Sequence, residues 1–114
     1  TRHWPASIWG SGADDVWVAA ACDTILHWDG VEWRTVREES CDFSTRHLNG
    51  VCGTGPDDVW AVGEDGRILH WDGSVWTPEA SGTPRRLSAV WATGGGEVWA
   101  VGDSGVILRR PVGE

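Results

Sequence analysis

The chain repeats itself. Gly-Ser-Gly-Ala-Asp-Asp-Val-Trp at 10–17 returns as Gly-Thr-Gly-Pro-Asp-Asp-Val-Trp at 53–60, an offset of 43 residues. The same offset carries Ile-Leu-His-Trp-Asp-Gly at 25–30 onto 68–73, and Trp33 onto Trp76. Across 8–33 and 51–76, 13 of 26 positions are identical. A second offset of 39 carries Val-Trp-Ala-Val-Gly at 59–63 onto 98–102, with 12 of 24 positions identical between 48–71 and 87–110. Chance would supply roughly one or two matches per window, so the repeat is real. The 114 residues read as a single domain of about 2.7 copies of one unit: repeat 1 over about 5–47, repeat 2 over about 48–86, and a partial repeat 3 over about 87–110. Each unit must be one supersecondary structure that buries its apolar surface on its neighbours.

Within the unit the signals are for strands. The runs 16–20 and 59–62 are short, apolar and rich in β-branched or aromatic residues, which suits strands buried on both faces. Asp-Gly and Ser-Gly pairs at 29–30, 65–66, 72–73 and 104–105 mark tight turns. No segment sustains a helical apolar period. The second repeat then gives strand A over about 48–53, B over 58–63, C over 67–71 and D over 75–80. Four short antiparallel strands in some 40 residues is the period of a β-propeller blade. That architecture accounts for the lopsided aromatic set of ten Trp, one Phe and no Tyr. Blades widen outward from a central axis, and large flat side chains fill the wedge between them.

The run Asp-Asp-Val-Trp-Ala-Val-Gly-Glu-Asp-Gly-Arg-Ile-Leu-His-Trp-Asp-Gly-Ser-Val-Trp at 57–76 resembles bacterial Asp-box (sialidase-type, or BNR) propeller repeats. It is similar in flavour to the photosystem II stability/assembly factor group and to tandem repeats in secreted myxobacterial proteins. The resemblance extends over nearly the whole chain. It implies blade architecture, and it implies that Asp29 and Asp72 are box carboxylates that stabilise the C–D turn rather than react. One departure is visible: the box is shortened, with Gly73 directly after Asp72 and Trp76 three residues later.

Two repeats and strands A to C of a third make fewer than three blades, whereas a closed ring takes four or more. The expectation is that the ring is completed by further copies of the chain, two copies giving about six blades, or by a longer chain.

The candidate sites follow the repeat. Asp14-Asp15, Asp57-Asp58 and Gly96-Glu97 fall in the A–B connections, where a carboxylate capping turn N–H groups is preferred over a calcium or acid–base role. Asp15 and Asp58 are therefore read as structural, because a catalytic site is built once and not once per blade. His27, His70 and Arg109 form one column, expected to hydrogen-bond along the strand surface rather than to converge on a metal. Trp4, Trp28 and Trp71 are the tryptophans expected at the surface and the candidate ligand platforms, with core packing as the competing reading. Arg85-Arg86 and Arg46-His47 precede strands A and should share a face with the acidic B–C turns at Asp23, Glu64-Asp65 and Asp103. Local ion pairing is preferred there over ligand anchoring.

Three cysteines complete the reading. Cys22 lies in a B–C turn and Cys41 in the D–A connection of repeat 1, which carries four extra residues. The two connections emerge on one face, which predicts a Cys22–Cys41 disulfide and an extracytoplasmic protein, whether secreted, periplasmic or on the cell surface. Cys52 takes the strand-A place of Trp9 and Trp91 and should be a buried free thiol.

The net charge of −8 counts against a nucleic-acid partner, which would need a cationic face. No apolar run approaches the roughly 20 residues of a membrane span. No P-loop, HExxH, GxSxG or CxxC is present, and the chain has no Tyr to serve as a sialidase-type nucleophile. The sequence therefore predicts a non-enzymatic all-β propeller segment, without cofactor or metal. It is a binding or scaffold module that joins protein partners or further copies of itself. A glycan-binding, lectin-like propeller is the alternative, and the propeller of a glycosidase the third.

Overall fold

A computed structural model describes residues 5–21, 24–37, 47–93 and 96–110. Eleven strands form three antiparallel sheets, one per repeat. Blade 1 is β1 (Pro5–Gly12), β2 (Asp15–Ala20), β3 (Thr24–Trp28) and β4 (Trp33–Arg37). Blade 2 is β5 (Leu48–Gly55), β6 (Asp58–Gly63), β7 (Ile68–Trp71) and β8 (Trp76–Glu79). Blade 3 is β9 (Leu87–Ala92), β10 (Val98–Gly102) and β11 (Ile107–Arg110). In every sheet consecutive strands pair, so the topology is a simple meander. This is the partial propeller that the repeat predicts. Among the described residues no helix is long and apolar enough to cross a membrane.

The register places repeat-equivalent residues in straight rows. Trp9 lies opposite Trp17 and Trp17 opposite His27. Cys52, Trp60 and His70 make the same row in blade 2. Trp91, Trp99 and Arg109 make it in blade 3. Residues directly opposite in a sheet share a face, so each row lies on one flank of its blade.

The first strands of consecutive blades run side by side. Val51 N–H donates to Ser7 Oγ at 3.2 Å, and Asn49 Nδ2 donates to the Leu87 carbonyl at 2.9 Å. Between blades 1 and 2 the wedge is filled by Trp17, Ala19 and Ile25 from one side and Val51, Val59, Ala61 and Leu69 from the other, with Trp71 and Trp76 packed against them. Between blades 2 and 3 the buried set includes Cys52, Trp60, Val62, Leu87, Val98 and Ala100.

Burial on both faces holds for β6, where every residue from Val59 to Gly63 is buried. It fails for β10, where Val98 and Ala100 are buried but Val101 is 42% exposed. β6 has a blade on either side, while β10 has one on a single side; β2, also in an end blade, is nevertheless buried from Trp17 to Ala20. Trp4, Cys22, Cys41 and Arg46, and with them the Cys22–Cys41 disulfide, lie outside the described residues. Cys52 is a buried free thiol. Burial first, then the nearby Asp58 charge, push its pKa up to about 12.

Candidate functional site

The same three-part unit is built in every blade. In blade 1, Asp15 at the start of β2 accepts from His27 Nε2 at 2.7 Å and from Ser11 Oγ at 2.5 Å, and the His27 ring lies 4.0 Å from Trp17. In blade 2, Asp58 accepts from His70 Nε2 at 2.6 Å and from Thr54 Oγ1 at 2.5 Å, and the His70 ring stacks on Trp60 at 3.9 Å and 20°. In blade 3, Glu97 accepts from Arg109 Nε at 2.8 Å, and the Arg109 guanidinium sits 5.7 Å from the Trp99 ring. A carboxylate can only accept, so each histidine carries hydrogen on Nε2.

The A–B carboxylates therefore depart from their sequence reading as turn caps. Among the described residues their bonds are to side chains across the sheet: Asp15 and Asp58 open strand B and reach strands A and C, and Glu97, just before β10, reaches Arg109 on strand C. Burial opposes the Asp58 charge, but the bonds from Thr54 and His70 outweigh it and hold its carboxyl below the ordinary range.

The wiring limits the chemistry. Ser, His and Asp meet at 11, 27 and 15, yet serine donates to the carboxylate and not to the imidazole. In a nucleophile triad the histidine lies between the other two. Here the aspartate does, and the arrangement ties strands together. The signal in the sequence was a paired exchange at a spacing of 12: Asp with His in repeats 1 and 2, Glu with Arg in repeat 3.

Asp29 and Asp72 hold the C–D turns. Asp29 Oδ1 accepts from Val31 N–H at 2.9 Å and Glu32 N–H at 3.0 Å; Asp72 Oδ1 accepts from Ser74 at 2.8 Å and Val75 at 3.0 Å. The bonds from Glu32 and Val31 lower the Asp29 pKa, and those from Val75 and Ser74 lower that of Asp72. On the opposite end of the blades, Arg86 Nη2 lies 3.5 Å from Asp103 Oδ1, and Arg85 Nη1 donates to Ser104 Oγ at 3.2 Å. These arginines bridge the D–A connection to the B–C turn of blade 3.

The tryptophans are placed differently from expectation. Trp71 is half-buried against the blade 1/2 core and donates to the Pro56 carbonyl at 3.2 Å; Trp28 is half-buried beside Trp33. Among the described residues the exposed tryptophans are Trp33 at 49% and Trp91 at 67%, with Ile8 and Ile107 both at 65%. Trp71 is covered because its flank meets blade 1. Trp33 and Trp91 stand on flanks that meet no described blade. Between blades 2 and 3 lies a cavity of about 370 Å³, lined by Trp60, Ile68, Glu79, Leu108 and Arg109 among others. Among the described residues no three His, Cys, Asp or Glu side chains cluster as metal ligands.

No protein-family model matches the chain, and no curated protein matches it either. A solved structure described as YCF48 bound to D1 peptide is similar in fold, with a TM-score of 0.74 and 23% sequence identity. The match covers 96% of this chain and 37% of that one, so the chain spans about a third of its structural neighbour.

Proposed function

We propose that the chain is a non-catalytic propeller segment whose work is to bind protein. One observation carries this reading. The polar groups that recur in every blade bind one another across the sheet, while Trp33, Ile8, Trp91 and Ile107 stand exposed among the described residues. Exposed apolar patches of that kind mark protein interaction surfaces. The similar fold that carries a bound peptide supports the same reading. The net charge of −8 favours partners with basic residues around an apolar anchor.

A carbohydrate-binding reading draws on the paired rings of Trp28 and Trp33 beside the Asp29 carboxylate. Labelled chain applied in parallel to an array of random 15-residue peptides and to a glycan array separates the two. The expected result is binding to peptides rich in Trp, Leu and Arg, weakened by Ile8→Asp or Ile107→Asp, and none to glycans. Glycan binding that is lost in Trp33→Ala, with no peptide binding, would replace the protein-binding reading by the lectin one.

A further inference from the structure

We infer that the start of the innermost strands, at the seam between blades 2 and 3, binds an extended peptide segment through its backbone, with Asn49 and Ser88 as the groups that hold it. The inference rests on the protein-binding reading and names the face that does the binding.

The repeats are successive trials of one fold, so a position the fold requires recurs and a position it does not require is free to differ. The two ends of the blade differ in this. At the A–B end, 10–17 and 53–60 share six of eight residues, and the C–D turn keeps Trp-Asp-Gly at 28–30 and 71–73. At the other end, the B–C segments 20–24 and 63–67 share none of five. Between 63–67 and 102–106 only two glycines recur. Backbone demands both: Gly66 and Gly105 lie at positive φ, and a Cβ on Gly63 or Gly102 would come within 2.0 Å of the His47 or Arg86 carbonyl. The strand A starts, Pro-Ala-Ser at 5–7 and Leu-Asn-Gly at 48–50, also share nothing.

The variable segments form one surface. Glu64 N–H donates to the His47 carbonyl and Asp103 N–H to the Arg86 carbonyl, both at 2.9 Å, so each B–C turn sits on the residue just before strand A. There the ladder slips by one residue in every blade and leaves Ala6, Asn49 and Ser88 unpaired. Such a bulge re-aims a side chain away from the ladder. Ala6 and Ser88 are exposed and Asn49 is half-buried. The first strands run side by side and so stand nearest the axis, where a propeller keeps a central channel. This surface therefore stays open however many blades complete the ring.

Only the seam between blades 2 and 3 carries polar side chains at the slip. Asn49 Nδ2 donates across it to the Leu87 carbonyl at 2.9 Å. A carbonyl can only accept, so the amide is fixed with Nδ2 on Leu87 and Oδ1 turned away from it. Ser88 follows Leu87, which puts its hydroxyl next to the amide. Neither Asn49 Oδ1 nor Ser88 Oγ has a partner among the described residues. One fixed acceptor beside one hydroxyl matches the N–H and C=O of a peptide backbone. No described tryptophan stands at this end, which leaves a sugar ring without a stacking face. Blade 1 has Ala6 at the same place, so the site is built once.

The test uses the 15-residue peptide with the strongest array signal, followed in solution by fluorescence anisotropy. Ser88→Ala and Asn49→Ala should each weaken binding about three- to tenfold, the worth of one hydrogen bond. Val75→Ser, at an exposed position of the opposite end, should not. Peptides N-methylated at one backbone position at a time then locate the N–H that Asn49 Oδ1 accepts. One of them should bind the wild type several-fold worse than the unmethylated peptide, and Asn49→Ala no worse. Ser88→Ala decides alone should Asn49→Ala lose its circular dichroism spectrum. Equal affinity of the wild type and these two variants overturns the inference and leaves the protein-binding reading standing. An N-methyl penalty that Asn49→Ala retains at every position also overturns it. An array on which no peptide binds overturns both.

Discussion

Two glycines at the same place in successive blades separate the conformational role of a residue from the space around it. The B–C turn of blade 2 has Asp65 at φ 56 and Gly66 at φ +74; that of blade 3 has Ser104 at φ 60 and Gly105 at φ +78. Both glycines thus occupy the left-handed region, where a side chain costs about 1–2 kcal/mol. Only Gly66 is crowded as well. A Cβ there would sit 1.9 Å from the Thr83 carbonyl and 2.7 Å from Ser81 Oγ, whereas no described atom comes within 4 Å of one on Gly105. Gly105→Ala should cost about 1 kcal/mol in urea denaturation, and Gly66→Ala about 3 kcal/mol or more, because backbone must move. Equal costs would show that the Thr83 loop yields freely. The turns themselves are legible as Asp-Gly and Ser-Gly pairs. The Thr83 contact is not, because it joins a B–C turn to a D–A connection whose path no local pattern fixes.

At the scale of the strand, the carboxylate and the cation twelve residues later behave as one exchangeable part. His70 and Asp58 are short groups meeting at 2.6 Å; Arg109 and Glu97 are long groups that reach the same contact in blade 3. Placing Arg at 70 against Asp58 mismatches the reach, and so does Glu at 58 against His70. Each single change, His70→Arg or Asp58→Glu, should destabilise. The double change should recover part of the loss, with a coupling of about 0.5–3 kcal/mol between side chains in contact. Simple addition of the two losses in chemical denaturation would sink the idea of a shared part.

The pair also sets an acid limit. The Asp58 carboxyl titrates lower in the folded chain than the ordinary 3.8. Its contribution is therefore present above that value and lost as the pH falls through the folded one. Strand positions and the three-blade period were legible because periodicity and turn pairs are local signals. The wiring of the unit was not, because a single column shows which residue recurs and not which other column it touches. The covarying Asp–His and Glu–Arg pairs carried that information across two columns at once.

In the whole molecule, the position of a blade decides the fate of a side chain more than its type does. Trp17 and Trp99 occupy one place in the repeat, on strand B of blades 1 and 3. Trp17 is buried between Trp71 and Trp76, while Trp99 stands on the flank of blade 3 beside Arg109. This is why the sequence could name the tryptophan columns yet not which members are exposed: Trp28 and Trp71 share a column with different neighbours. The same substitution at the two places should therefore read out differently. Trp17→Ala empties the slot between Trp71 and Trp76 and should cost about 3–5 kcal/mol. Trp99 is half-buried beside Arg109 on a flank that meets no described blade. Trp99→Ala should therefore cost less, about 1–2 kcal/mol. Thermal unfolding of both variants checks this. A drop in Tm for Trp99→Ala as large as that for Trp17→Ala would mean that the Trp99 ring is packed within its own blade as firmly as Trp17 is between two, and that blade position does not set the cost.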